Sequence, residues 1–540
     1  MIETGYPNGM ASSGPRSRDR RVVVIGSGFG GLASAIRLQA AGHDVTLIEA
    51  RERLGGRAYQ LQDAGYTFDM GPSLITAPHL LRDLWGSAGS DFDTEIDLVR
   101  LDPFYRIYFR DGTHFDYGSG PEQDEAEVAK FNPDDVSGLR DFLAYTETIY
   151  RRAFDDLAGE PFDRFRDFAR VVPELVRLGA QRSVYSVVSK HISDPRLRMV
   201  FSFHPLFIGG NPLRASAIYS IVPYLERLGG VHFSMGGMYS VVAGMERLFC
   251  DLGGEVITGQ PVEQILTAPG RATGVRTSSG DYPADAVVAN SDAATTYLKL
   301  LPRANQKRLT AARLRSYRYS MSCFLLYLGL DRKYDQLKHH TILMPDDYER
   351  LLREIFDGQG MPSDLAIYLH APTKTDPSMA PPGGESLYVL VPVPHLGRGI
   401  DWRDEGNAFR DRVIHHLEHE FGLDGLEASI VTEQRFTPLD FRDQLGSWLG
   451  SAFSIEPTLT QSAWFRPHNR SRELPGLYFT GAGTHPDAGL PGTLLSAEIT
   501  SRLVLEDVPV TGIGNEGRGM TNGGRSPMEN PLPSTVRSLE

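Results

Sequence analysis

The sequence predicts an α/β fold built on a Rossmann-like parallel sheet, with a mixed α+β domain inserted into it. Three observations carry this reading. Residues 22–25 are a continuous β-branched apolar run, followed by glycines at Gly26, Gly28 and Gly31 and then by a helical pattern. Short apolar strands recur far downstream, at residues 286–289 and 476–481, so distant segments must meet in one sheet. Between them, residues 122–228 turn helical and amphipathic, while 321–330 and 386–393 read as strands of a second sheet.

Taken in order, the first unit is a nucleotide fingerprint. Gly26 permits a tight turn, Gly28 lets backbone approach a pyrophosphate, and Gly31 lets helix pack on strand. Residues 32–41 continue as the helix and Gly42 stops it. Residues 45–48 form the second strand, ending in Glu49, which lies 23 residues after Gly26. That spacing suits a carboxylate accepting from adenosine ribose hydroxyls. Gly55-Gly56-Arg57 adds a glycine-backed cation, which favours a permanently held FAD over an exchanging nicotinamide cofactor. Residues 66–73 then run from a strand into a Gly-Pro turn. Residues 91–117 alternate as strands, with a hairpin turn at Asp111-Gly112. A helix follows Gly236-Gly237 up to residue 249, strands are expected at 255–257 and 262–266, and a last helix at 494–505.

The chain of 540 residues, 41% of them hydrophobic, is long enough for two or more interleaved domains; neither a disordered chain nor a membrane bundle fits. A net charge of −13 argues against nucleic acid as a partner and against a broadly polybasic anchor. Cys250 and Cys323 lack metal-ligand spacing and read as buried thiols, a usage that fits a reducing cytosol. No stretch reaches the roughly 18–20 apolar residues of a membrane span. Residues 1–20 read as a disordered leader without the apolar core of a secretory signal, and residues 508–540, rich in Gly, Pro, Ser and Asn, as a disordered tail.

Several longer motifs remain. They are Phe68-Asp69-Met70-Gly71-Pro72-Ser73, Phe104-Tyr105-Arg106, the block from Phe203 to Pro212, Gly236-Gly237-Met238-Tyr239, His339-His340-Thr341-Ile342, and the run from Gly481 to Gly492. On these, residues 21–505 resemble the bacterial-type phytoene desaturases. These are members of the carotenoid and retinoid oxidoreductase family, within the FAD-dependent amine-oxidase-like superfamily. Asp487 stands where that family usually has glycine, which leaves the local loop geometry open.

The resemblance implies a discontinuous FAD-binding domain of the GR2 type (21–80, 235–300 and 471–507) and a substrate and membrane-associating domain (81–234 and 301–470) with a helical membrane-facing part. Gly26, Gly28, Gly31, Glu49 and Arg57 would hold the ADP half of FAD, and the Val262 backbone would meet the adenine. Gly483, Asp487, Pro491 and Gly492 would lie beside the ribityl chain and flavin ring, with Gly71, Pro72 and Ser73 near the isoalloxazine. Asp487 reads equally well as a turn or capping aspartate. The implied activity is FAD-dependent desaturation of phytoene to lycopene or intermediates, by hydride transfer to flavin N5 and proton loss, with oxygen or a quinone as electron acceptor. Alternatives are another carotenoid-modifying enzyme of the family (a later desaturase, an isomerase or a ketolase) and a non-catalytic prenyl-binding escort protein.

Such a substrate calls for an apolar tunnel. Phe201, Phe203, Phe207, Ile208, Ile218, Tyr219, Ile221, Val222, Tyr224 and Leu225 offer one, although domain core explains the same pattern. No general base is assigned: His204, His339, His340 and His485 sit in matched motifs, and Glu147 has Ala144 where a polar partner is expected. A bilayer-dwelling hydrocarbon also implies a cytoplasmic protein placed peripherally at the inner face of the cell membrane. The arginines Arg140, Arg151, Arg152, Arg164, Arg166, Arg170, Arg177 and Arg182 would either meet headgroups or pair with nearby acids on a solvated face.

Overall fold

A computed structural model describes residues 20–155 and 157–510. The expected leader, apart from Arg20, and the expected tail beyond Val510 lie outside the described residues.

Five strands form a parallel sheet in the order Leu477–Phe479, Ala286–Ala289, Arg21–Ile25, Asp44–Ile48, Glu255–Ile257. Every neighbouring pair runs parallel. The first strand explains why its sequence is continuously apolar. Val22 and Val24 pack on one face with the helices, while Val23 and Ile25 pack on the other with Val287 and Ala289. A parallel sheet covered on both faces leaves no polar side to alternate with. Helix Phe29–Ala40 crosses between the first two strands and packs against helices Met238–Asp251 and Leu490–Asp507, one from mid-chain and one from near the C-terminal end.

The second sheet has seven strands, in the order Ile430–Phe436, Ser322–Leu330, Glu385–Val393, Ile367–His370, His340–Leu343, Tyr105–Tyr108, His114–Tyr117. Its neighbours are antiparallel except for His340–Leu343 beside Tyr105–Tyr108. Strand Ser322–Leu330 divides its side chains by parity. Phe324, Leu326, Leu328 and Leu330 pack under Trp402, Phe409 and Val413 of helix Trp402–His415. Cys323, Leu325 and Tyr327 belong to a separate cluster on the opposite face.

Four sequence expectations are corrected. Residues 91–117 are not all strand: Asp91 caps a short helix, Phe92–Glu95, by accepting from the Asp93 N–H at 3.1 Å. The expected strand at 262–266 begins two residues later, at Gln264, after the irregular stretch around Pro261. Helix Leu490–Asp507 starts four residues earlier than residue 494, with Pro491 in its first turn, where a missing N–H costs nothing. Cys323 is buried, but Cys250 is exposed, because it falls off the buried stripe formed by Val241, Val242, Met245, Leu248 and Phe249 on its helix. Among the described residues no helix is long and apolar enough to cross a membrane.

Candidate functional site: a cavity with a polar and an apolar end

One cavity of about 790 Å³ runs between the two sheets. Its first end is made by the turn after the first strand. Gly26 takes φ +87°, and Glu49 closes the turn by accepting from Ser27 N–H at 2.9 Å and from Ser27 Oγ at 2.5 Å. The Arg51 N–H donates to the other Glu49 oxygen at 2.9 Å. Helix Phe29–Ala40 then begins at Gly28 with no side chain capping it. Its first N–H groups and its positive dipole end face the cavity, a ready anion site.

The glycines are specified by close approach. A Cβ on Gly31 would lie 2.0 Å from the Gly26 carbonyl oxygen, and one on Gly71 would lie 2.4 Å from the Arg57 carbonyl oxygen. Gly56, at φ +56°, sits against the Gly28 backbone, with 3.1 Å left between a built Cβ and the Gly28 Cα. Arg57 donates through Nη2 to Ser447 Oγ at 2.9 Å, while its Nε is buried without a partner. Burial pulls the Arg57 pKa down from its ordinary value, with Asp292 pulling weakly the other way. An incompletely paired buried cation beside an uncapped helix start fits a bound anion.

A second uncapped helix enters the same cavity. Gly489, at φ +86°, precedes Leu490, Pro491, Gly492 and Thr493, all of which line the wall, and no side chain caps this terminus. Asp487 lines the cavity too, but its carboxylate is engaged within the protein. Oδ1 pairs with Arg466 Nη2 at 2.7 Å and accepts from the Ala488 N–H at 2.7 Å, and Oδ2 accepts from the Tyr219 hydroxyl. Burial raises the Asp487 pKa, countered first by the Arg466 guanidinium. Its side chain therefore serves the turn reading.

Of the expected residues, Gly26, Gly28, Glu49, Arg57, Gly71, Pro72, Ser73, Val262, Asp487, Pro491 and Gly492 line this one cavity. Among the described residues the Val262 backbone makes no hydrogen bond. Gly31 and Gly483 stand behind it: Gly31 packs helix on strand, and a Cβ on Gly483 would meet Ser454 Oγ at 2.9 Å. Sequence reasoning missed Asn290, against which Gly28, Gly30 and Gly481 all pack at under 3 Å for a built Cβ. The available signal was position, since Asn290 follows an apolar strand at the carboxyl edge of a parallel sheet, where ligands bind. Arg466 carried no local signal, and Tyr219, expected in the tunnel series, does line the cavity but also bonds Asp487, 268 residues away.

The other end is apolar. Leu325, Tyr388, Leu390 and Pro392 come from the second sheet, and Phe203, Phe207, Ile208, Ile221 and Val222 from the helical segment. Part of the expected tunnel series is thus wall, whereas Phe201 and Tyr224 are not: Phe201 lies in core and Tyr224 packs against another core cluster. Burial pushes the Cys323 thiol up to about 12 and the His485 imidazole down to about 4, so neither lining group is charged near neutrality. The apolar end reaches Phe168 and Leu175 of helix Phe165–Arg177, which has no buried residue. Phe165 and Val176 there are 57% and 52% exposed. The arginines are mixed: Arg140 pairs with Glu125, Arg151 with Glu147 and Arg152 with Glu174. Among the described residues Arg164, Arg177 and Arg182 form no ion pair.

Comparison with known proteins is decisive at this point. Residues 29–505 match the model of the flavin containing amine oxidoreductases. A lycopene-forming phytoene desaturase of Pseudescherichia vulneris is 47% identical over 491 residues, covering 91% of this chain and 100% of that protein. The chain belongs to the bacterial phytoene desaturase branch of the flavin-containing amine oxidoreductases. Its homologues include a lycopene-forming enzyme of Pantoea ananas, 46% identical over 90% of this chain and 99% of that one. A neurosporene-forming enzyme of Rhodobacter capsulatus is 40% identical, covering 90% and 94%. Among solved structures, an oxidoreductase from Methanosarcina mazei superposes with a TM-score of 0.63 at 18% identity, over 90% of this chain and 100% of that one. A redesigned putrescine oxidase gives 0.59 at 15%, over 90% and 99%. These two likenesses concern the fold. As a member of this branch the chain is an FAD-dependent oxidoreductase, and the residues at the polar end suit FAD.

Proposed function

We propose that this chain desaturates phytoene, forming lycopene or a less desaturated intermediate. The observation that carries the reading is the continuity of one cavity from a dinucleotide fingerprint to a long apolar end. In this reading residues 21–80, 235–300 and 471–507 form the cofactor domain, and 81–234 with 301–470 the substrate domain. Gly26 and Gly28 admit the pyrophosphate to the first helix start, Glu49 and the Val262 backbone meet the adenosine half, and Arg57 neutralises phosphate charge. Gly71, Pro72, Pro491 and Gly492 border the ring, and Asp487 holds its loop through Arg466 and Tyr219. When bound, FAD supplies the two-electron acceptor that a hydrocarbon C–H bond requires.

The protein's own contribution is positioning and exclusion. A hydrocarbon offers no polar handle, so orientation rests on shape, with each well-buried apolar side chain contributing about 1.5–3 kcal/mol. Cys323 and His485 carry no charge near neutrality, and the apolar side chains around them keep water from competing at the reacting carbon. Entry is supported by helix Phe165–Arg177, whose exposed Phe165 and Val176 adjoin the cavity-lining Phe168 and Leu175. We take this helix as the part that docks peripherally on a membrane at its cytoplasmic face, with oxygen or a quinone accepting the electrons.

The test is expression in cells that accumulate phytoene, with chromatography of the extracted pigments. Lycopene, neurosporene or ζ-carotene is expected, and unchanged phytoene in cells containing the FAD-loaded protein overturns the reading.

A further inference from the structure

A second polar cluster lies behind the cavity wall. His340 opens strand His340–Leu343 and stands directly across from His370, which ends strand Ile367–His370. His339 precedes them, and its carbonyl accepts from the Ala371 N–H at 2.9 Å, which folds its ring onto the pair. The three ring centroids are 4.5, 4.9 and 5.2 Å apart. One nitrogen from each ring lies within 4.8 Å of the others. All three side chains are buried.

The arrangement of the second nitrogens is informative. His339 Nδ1 meets Thr375 Oγ1 at 2.6 Å, and His340 Nδ1 meets the Tyr368 hydroxyl at 2.8 Å. Both contacts fix ring orientation, whereas His370 Nδ1 is buried without a partner. His339 Nε2 is 3.1 Å from His370 Nε2, and His340 Nε2 is buried with no partner. Imidazoles that ligate a metal characteristically bond an oxygen through the opposite ring nitrogen. Two nitrogens, each about 2.0–2.1 Å from a tetrahedral zinc ion, stand about 3.3 Å apart, so the His339–His370 pair is already spaced and the third nitrogen need close by no more than about 1.5 Å.

We propose that His339, His340 and His370 form a site for one divalent transition-metal ion of the imidazole-seeking class, zinc being the first candidate. With no carboxylate in the set, the fourth position falls to water. The ion would cross-link the two strands whose Tyr368 reaches the Ser73 hydroxyl at 2.6 Å, on the cavity wall. Because the cluster is sealed, loading accompanies folding. The proposal does not depend on phytoene being the substrate.

The test is the metal content of FAD-loaded protein from zinc- or cobalt-supplemented cultures. About one ion per chain is expected, with cobalt ligand-field bands to the red of the flavin absorption. His340→Gln and His370→Gln should each abolish both signals while retaining flavin, and Thr375→Val should weaken metal affinity about 10–100-fold. Should the histidine variants fail to fold, X-ray absorption of the cobalt-loaded wild type still decides, since about three imidazole nitrogens are expected around the ion. Wild-type protein without stoichiometric metal, a metal lacking imidazole ligands, or folded histidine variants that keep it would each overturn the assignment.

Discussion

The two ends of the cavity are built by opposite rules. At the polar end, backbone does the work. Glycines stand where a Cβ would strike a carbonyl at 2.0–2.4 Å, two helices begin uncapped, and one buried arginine lacks a partner for Nε. At the apolar end no single position is dictated, and Leu325, Tyr388, Leu390, Phe207 and Ile221 contribute area and shape. A charged, jointed cofactor needs donors at fixed points, while a hydrocarbon needs a dry tube of the right bore. Single substitutions should therefore act steeply at the first end and gradually at the second.

The steepest expected effect is at Gly31. Gly31→Ala drives a Cβ into the Gly26 carbonyl, so the turn must open. The expected cost is about 3 kcal/mol or more, read as a lower melting temperature and loss of the flavin band from purified protein. Asp69 comes next. Burial pushes its carboxyl up to about 7, although it caps helix Met238–Asp251 by accepting from the Met238 N–H at 2.9 Å. A raised carboxyl pKa means that the folded state binds the extra proton. Stability should thus fall as pH rises from about 4 to about 7, and Asp69→Asn should flatten that fall in denaturant titrations at several pH values. Arg57→Ala should weaken FAD binding about 10–100-fold, with Arg57→Lys intermediate, as read by fluorescence titration of apoprotein. At the apolar end, Phe207→Ala should leave flavin content unchanged and lower turnover of phytoene in vesicles about tenfold. Smallest is the outer helix, where Phe165→Ser with Val176→Ser should reduce vesicle co-sedimentation several-fold without altering FAD affinity. An equal loss of flavin from Phe207→Ala and Arg57→Ala would erase the distinction between the two ends.

The same distinction governs what the sequence revealed. Gly26, Gly28, Glu49 and Arg57 were legible because chain geometry demands particular residues at particular spacings. The helix start at Phe29, three residues before the expected residue 32, was hidden because Gly30 and Gly31 are poor helix formers retained for packing. Asn290 and the bonds that join Asp487 to Arg466 and Tyr219 were not legible, because these residues meet only in space. Phe201 and Phe203 look alike in sequence and share one buried cluster, yet only Phe203 also lines the cavity. Periodicity reports burial but not what a buried residue faces.

The central claim is that cofactor and hydrocarbon share one cavity. Its most direct test is anaerobic mixing of FAD-loaded protein with phytoene-containing vesicles, following flavin absorbance and extracted product together. Bleaching of the oxidised flavin, with one carbon–carbon double bond formed per flavin reduced, is the expected result. A flavin that stays oxidised while phytoene partitions onto the protein would contradict the account.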